Sequence, residues 1–160
     1  MKKFIISLFC ITNLNVALCN EEVALTHKIF NELRDNNLEI LDNYYHPDAF
    51  FVDPIGSHQG IADIKKYYGN VYQGVEEVSF EFKSEIGSNN KYFFPWVMKL
   101  KTPKLNDGKM FEVIGGSEIH FKDGLVIYHR DYFDMGEFIY ERISVIGFIV
   151  KKIKERLKTK

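Results

Sequence analysis

Cysteine is nearly absent. The sequence has two, Cys10 and Cys19, and both lie in residues 1–20, so the remainder has no thiol for a disulfide, a nucleophile or a thiolate metal site. Stability must come from packing. Proline is scarce, with four in 160 residues, and no Gly-rich phosphate loop, internal repeat or low-complexity linker appears. An excess of one charge is missing too. Against 22 acidic residues stand 21 basic ones, which leaves no electrostatic footprint for nucleic acid. The five histidines, His27, His46, His58, His120 and His129, show no ligand spacing, so no metal site is expected, and no cofactor motif is present.

Aromatic residues are what the chain has in quantity. Fourteen Phe and nine Tyr imply either a thick core or a pocket for something apolar. The length suits one well-filled core and is short for two typical domains.

Residues 1–20, "MKKFIISLFCITNLNVALCN", differ from the rest. Two lysines precede an apolar stretch from Phe4 to about Leu18, and Ala17 and Cys19 stand at −3 and −1 of a cut before Asn20. This is the layout of a secretory signal peptide, so the mature protein is expected to be secreted or periplasmic. The alternatives are a retained membrane anchor, which includes a lipid-attachment box "VALC" in which Leu18 replaces the small residue that box requires, or an ordinary N-terminal helix. Residues 21–160 read as a single domain.

Within that domain, Val23, Leu25, Ile29, Phe30 and Leu33 recur at near-helical spacing, and "RDNN" ends the pattern. A second short helix is predicted over Leu38–Tyr45, a short strand over 49–53, a loop over "PIGSHQG", and a third helix from Ile61. The period then changes to two. Val78, Phe80 and Phe82 alternate with Ser79, Glu81 and Lys83 as a half-buried strand. Three more strands follow, Tyr92–Lys101, Met110–Phe121 and Leu125–Phe133, the last two joined by "KDG", a hairpin signal. From about residue 136 the chain turns helical. Helices followed by strands indicate an α+β fold: a curved antiparallel sheet of four main strands plus a short one, wrapped by three N-terminal helices, with a C-terminal helix. Such a cone has an apolar interior suited to a small molecule.

The stretches "FFVDPIGSHQGIADIKKYY" and "GGSEIHFKDGLVIYHRDYFD" carry a resemblance. In order and content they resemble the SnoaL-like branch of the nuclear transport factor 2 superfamily, over about residues 22 to 150. "VDPIGS" and its helix are similar to the ketosteroid isomerases, whose aspartate before the proline abstracts a proton beside a carbonyl. The resemblance places Asp53 on that base, and Tyr45 and Tyr68 on supporting tyrosines. It also puts Ile29 where the donor tyrosine belongs and Ser117 where its partner aspartic acid belongs, so that oxyanion hole is missing. "HRDYFD" resembles the final strand of limonene epoxide hydrolase, with Asp131 on a catalytic aspartate. There the upstream water-activating pair corresponds to Trp96 and Met98, so the epoxide hydrolase triad is not preserved.

Both resemblances point Asp53 and Asp131 into the cone. Neighbouring carboxylates in an apolar pocket have their pKa values pushed apart, which suits one base and one protonated donor. His129 shares a face with Asp131 at period two and is a candidate proton shuttle. Trp96, Met98, Phe133, Tyr45, Tyr68 and Ser117 are expected to line the pocket. The plainer reading has Asp53 accepting N–H bonds in its own turn, Asp131 pairing with Arg130 or Arg142, and His129 as a satisfied core residue.

The functional expectation is a small apolar ligand in the cone. Cofactor-free proton transfer on a carbonyl compound, with Asp53 as base, and a purely structural dimer are the alternatives. A homodimer is expected through the face carrying Tyr128, Arg130 and Tyr132. The basic end "KKIKERLKTK" reads as a solvated helix face, with contact to an anionic membrane surface as the weaker alternative.

Overall fold

The computed structural model describes residues 21–158, apart from the side chain of Ser144. The leader expected over residues 1–20 lies outside the described residues. Residues 21–32 form helix α1. After a 3-10 turn at Leu38–Asn43 come strands β1 (Tyr45–Val52) and β2 (Ser57–Gln59), then α2 (Ile61–Tyr72). Strands β3 (Glu77–Phe82), β4 (Ile86–Ser88), β5 (Lys91–Lys101), β6 (Phe111–Lys122) and β7 (Leu125–Phe133) follow. The chain closes with a single-turn helix α3 (Met135–Phe138), a 3-10 turn at Tyr140–Arg142 and α4 (Ser144–Lys158).

The fold is α+β as expected, but the sheet has seven strands in the order β2-β1-β7-β6-β5-β3, with β4 on β5. It is mixed rather than antiparallel, because β1 runs parallel to β7. The expected second α-helix is a 3-10 turn, and the chain is already extended at Tyr45. Tertiary demands explain the difference. Tyr44 is buried with its hydroxyl on Thr26 Oγ1 at 3.1 Å, and Tyr45 is buried with its hydroxyl on His129. A helix continuing through both would misdirect one of them.

Period-two patterning builds the concave face. Tyr92, Phe94, Trp96 and Leu100 of β5 point inward with Phe111, Val113, Ser117 and Ile119 of β6. His129, Asp131 and Phe133 of β7 share that side, whereas Arg130 and Tyr132 are exposed on the other. The β6–β7 hairpin turns on Asp123 and Gly124, both at positive φ, 52° and 80°. Two left-handed residues define the tight turn that matches strand twist, which is why "KDG" was informative. Phe30, Leu33, Leu41, Phe51 and Ile64 of the N-terminal half pack against this face in one cluster. Each such burial is worth about 1.5–3 kcal/mol.

Gly115 lies directly under the indole of Trp96, and a Cβ there would stand 2.2 Å from its ring. The missing side chain seats the tryptophan flat on β6. That seat places its N–H within 2.9 Å of Ser117 Oγ.

Candidate active site

The parallel β1–β7 ladder brings the two aspartates to one end of the cone. Phe51 registers with His129 and Val52 with Arg130, so Asp53 and Asp131 follow together where the strands part. Asp53 then turns back on itself. Its Oδ1 accepts from the N–H of Ile55 at 2.8 Å and of Gly56 at 2.9 Å, and its Oδ2 accepts from the Tyr67 hydroxyl. Both oxygens of Asp53 are therefore engaged, as its turn-forming reading required, with a tyrosine added from α2.

Asp131 is held differently. Ser117 is its direct cross-strand partner on β6 and donates to Oδ1 at 2.5 Å, while His129 Nε2 contacts the same oxygen at 2.8 Å. Both of these bonds use Oδ1, and among the described residues none is made to Oδ2. The Asp131 side chain keeps 16% of its surface exposed, and the His129 side chain none. Arg130 lies on the opposite face, 5.0 Å over the Tyr132 ring, and Arg142 stacks 3.9 Å over Phe111. Neither arginine provides the pairing that the plainer reading of Asp131 offered.

These bonds form a chain whose direction is fixed by elementary donor rules. Trp96 can only donate, so Ser117 accepts from it and donates its hydroxyl to Asp131 Oδ1. His129 then donates from Nε2 to Asp131, which assigns Nδ1 as the acceptor for the Tyr45 hydroxyl at 2.5 Å. Tyr45 in turn lies 3.2 Å from the Tyr68 hydroxyl, the last member. Burial, with a smaller contribution from the Asp131 charge, pushes both phenols well above their ordinary range. They stay protonated and serve as donors.

Around Asp131 opens a cavity of about 300 Å³. Tyr68, Trp96, Met98 and Phe133 line it as the sequence predicted, and so do Asp53 and Asp131. Tyr45, Ser117 and His129 do not. Ser117 and His129 are completely buried behind Asp131, and Tyr45 borders a separate void of about 40 Å³ deeper in the cone. These three act on the cavity through the residues they hold. Sequence reasoning missed Tyr67 as the partner of Asp53, although its place beside Tyr68 on α2 is a signal that two neighbouring phenols enter the same interior. It also missed Phe138 and Ile139 in the lining, which no periodicity marks. Among the described residues no group of three or more His, Cys, Asp or Glu is placed to hold a metal ion.

A curved mixed sheet packed against helices, with an apolar cavity that both aspartates line, is a cone-shaped α+β architecture. The family model described as the SnoaL-like domain matches residues 26–129. This chain belongs to that family. No curated protein matches it. Many solved structures do. TerC co-crystallized with polyporic acid aligns with TM-score 0.62 at 20% identity, over 74% of this chain and 95% of that one. A protein of ketosteroid isomerase-like fold from Catenulispora acidiphila, in complex with trimethylamine, aligns with TM-score 0.62 at 14% identity, over 72% and 87%. An NTF2-like protein of unknown function from Burkholderia pseudomallei aligns with TM-score 0.61 at 16% identity, over 78% and 94%. At these identities the likeness is one of fold.

Proposed function

We propose that the chain binds a small, largely apolar molecule in the cone, with a donor group or acidic C–H of that molecule set against Asp131 Oδ2. The observation that carries this reading is the lining. Phe80, Trp96, Met98 and Phe133 wall a cavity whose carboxylate is fixed from behind by Ser117 and His129. Apolar burial supplies affinity at about 25 cal/mol per Å², and one fixed acceptor supplies orientation. The small molecules held by TerC and by the Catenulispora protein support a ligand-binding cone.

Trp96 is the sole tryptophan of the chain and lines the cavity, so its fluorescence reports occupancy. Titration with small cyclic ketones and phenols is expected to give a saturable change in intensity or wavelength. A panel of such compounds that leaves the emission untouched while the protein is folded rejects the reading.

Proton transfer on a carbonyl compound is a second reading, favoured by one observation: the cavity offers an acceptor, Asp131, and a protonated donor, Tyr68. Asp131 Oδ2 would take the proton from the carbon beside the carbonyl while Tyr68 turns the hydrogen bond it gives Tyr45 onto the oxygen that gains charge. The proton then returns from Asp131 to the enolate. In this scheme the base is Asp131 rather than Asp53, whose oxygens already serve its turn and Tyr67. Exchange of the α-deuterium of a bound ketone that is lost in Asp131→Asn supports it, and absence of exchange in the wild-type chain reduces the function to binding.

A homodimer through the opposite face belongs to the same proposal. Phe93, Ile114 and Tyr132 are exposed there, and a monomer by sedimentation at micromolar concentration would remove it.

A further inference from the structure

We propose that α4 is an interfacial helix that lays the protein on an anionic lipid bilayer. This segment, Ser144–Lys158, follows the part of the chain that matches the family model. It is amphipathic in its spacing. Val145, Ile146, Ile149, Ile153 and Leu157 fall on one arc at the helical repeat, and all five are exposed, Leu157 by 77% and Val145 by 72%. A helix that packed its apolar stripe on the domain would show the reverse. Here the domain leaves that stripe uncovered.

Charge selects the occupant. Lys152 borders one side of the apolar arc, with Arg156 just inside that edge; Lys154, which also pairs with Glu141, borders the other, and Lys151 and Lys158 project from the polar back, where the helix has one acid of its own, Glu155. Lys152 Nζ sits 4.6 Å over the ring of Phe148, which stands off the main arc, and Val150 at the arc's far edge is half-buried. Basic residues flanking an apolar face are how an interfacial helix meets acyl chains and anionic headgroups together, with the lysine stems snorkelling to the phosphate level. Fifteen residues are too few to span, and among the described residues no helix is long and apolar enough to cross a membrane. The helix lies on the surface. A second copy of this chain would meet the same array of lysines on its own α4, and like charges in contact oppose that pairing.

The location adds a consequence. Phe138 and Ile139 line the cavity and α4 begins at Ser144, so at most about 18 Å of chain separates the cavity wall and the docking helix. An apolar molecule dissolved in the bilayer would have a short path into the cone. The docking itself stands whether or not the cavity takes a ligand.

The test is cosedimentation of the full chain with vesicles of phosphatidylglycerol and phosphatidylcholine, compared with phosphatidylcholine alone. Binding is expected to the anionic vesicles and to weaken with ionic strength. Reversing three charges in Lys151→Glu/Lys152→Glu/Lys158→Glu is expected to reduce partitioning by more than about a hundredfold. Ile149→Glu/Ile153→Glu is expected to abolish it, with Trp96 emission unchanged as the sign of an intact domain. Binding to anionic vesicles that survives both variants is carried elsewhere, for example by the apolar residues 4–18, and overturns the proposal. So does an effect of Ile149→Glu/Ile153→Glu confined to self-association measured by sedimentation velocity.

Discussion

His129→Leu is expected to destabilise the protein by about 3–5 kcal/mol, the cost of breaking a buried, charge-assisted bond from one side. The imidazole is fully buried and uses both nitrogens, on Asp131 Oδ1 and on Tyr45. Leucine nearly matches its volume, so the effect isolates polar loss from cavity formation. It would leave the Tyr45 hydroxyl without its acceptor and Asp131 with Ser117 alone. Urea unfolding reads the change as a lowered midpoint at constant slope. Because Tyr45 and His129 share one bond, Tyr45→Phe together with His129→Leu should cost less than the sum of the single changes. Full additivity would mean that the two side chains do not act as one network. The same change loosens Asp131, so it should also widen the range of ligands that the cavity tolerates.

Above pH 10 the fold is expected to collapse over a narrow interval. Burial is the largest cause raising the phenols of Tyr44, Tyr45, Tyr67, Tyr68 and Tyr72 above their ordinary range. In the unfolded chain each ionises near a pKa of about 10. Below that value both states keep their phenolic protons and these groups make no difference to stability. Above it the unfolded state loses protons that the folded state retains, so stability falls as pH rises. The loss is about 1.4 kcal/mol per pH unit for each tyrosine, or roughly 7 kcal/mol per unit for the five. A domain stable by about 5–15 kcal/mol should therefore unfold within about two units. Phenolate absorbance of these residues should appear in one step, together with loss of near-ultraviolet circular dichroism. A gradual titration of all nine tyrosines with the fold retained would show that the interior admits hydroxide.

Local patterning carried much of the fold. The alternation along β5, β6 and β7 gave three strands to within a residue and put His129, Asp131 and Phe133 on one face, because side-chain direction in a strand depends only on parity. The hairpin at Asp123 and Gly124 was readable because its turn residues must adopt positive φ. Pairing of distant strands has no local signature. The β1–β7 ladder joins segments nearly eighty residues apart, and nothing in "FFVD" announces that it runs parallel to "IYHR". The polar chain from Trp96 to Tyr68 was hidden for the same reason, since it crosses β5, β6, β7, β1 and α2.

The opening resemblance pointed first to Asp53. Its "DPIG" context is at once a proton-abstraction motif in similar enzymes and a strong turn former, and both readings fit the sequence. The hydrogen bonds of Ile55, Gly56 and Tyr67 weight it toward the turn. Ser117, which stands where a catalytic donor would have been, instead holds Asp131 in place.

The most direct measurement is the affinity of a cyclic alcohol and of its parent hydrocarbon, read from Trp96 emission in the wild-type chain, in Asp131→Asn and in Asp53→Asn. Asp131→Asn is expected to weaken the alcohol about tenfold, the worth of one charge-assisted hydrogen bond, and to leave the hydrocarbon unchanged. Asp53→Asn should leave both unchanged at equal folded fraction. Equal affinity of the alcohol for wild type and Asp131→Asn, or its loss in Asp53→Asn alone, would contradict Asp131 as the carboxylate that a ligand meets.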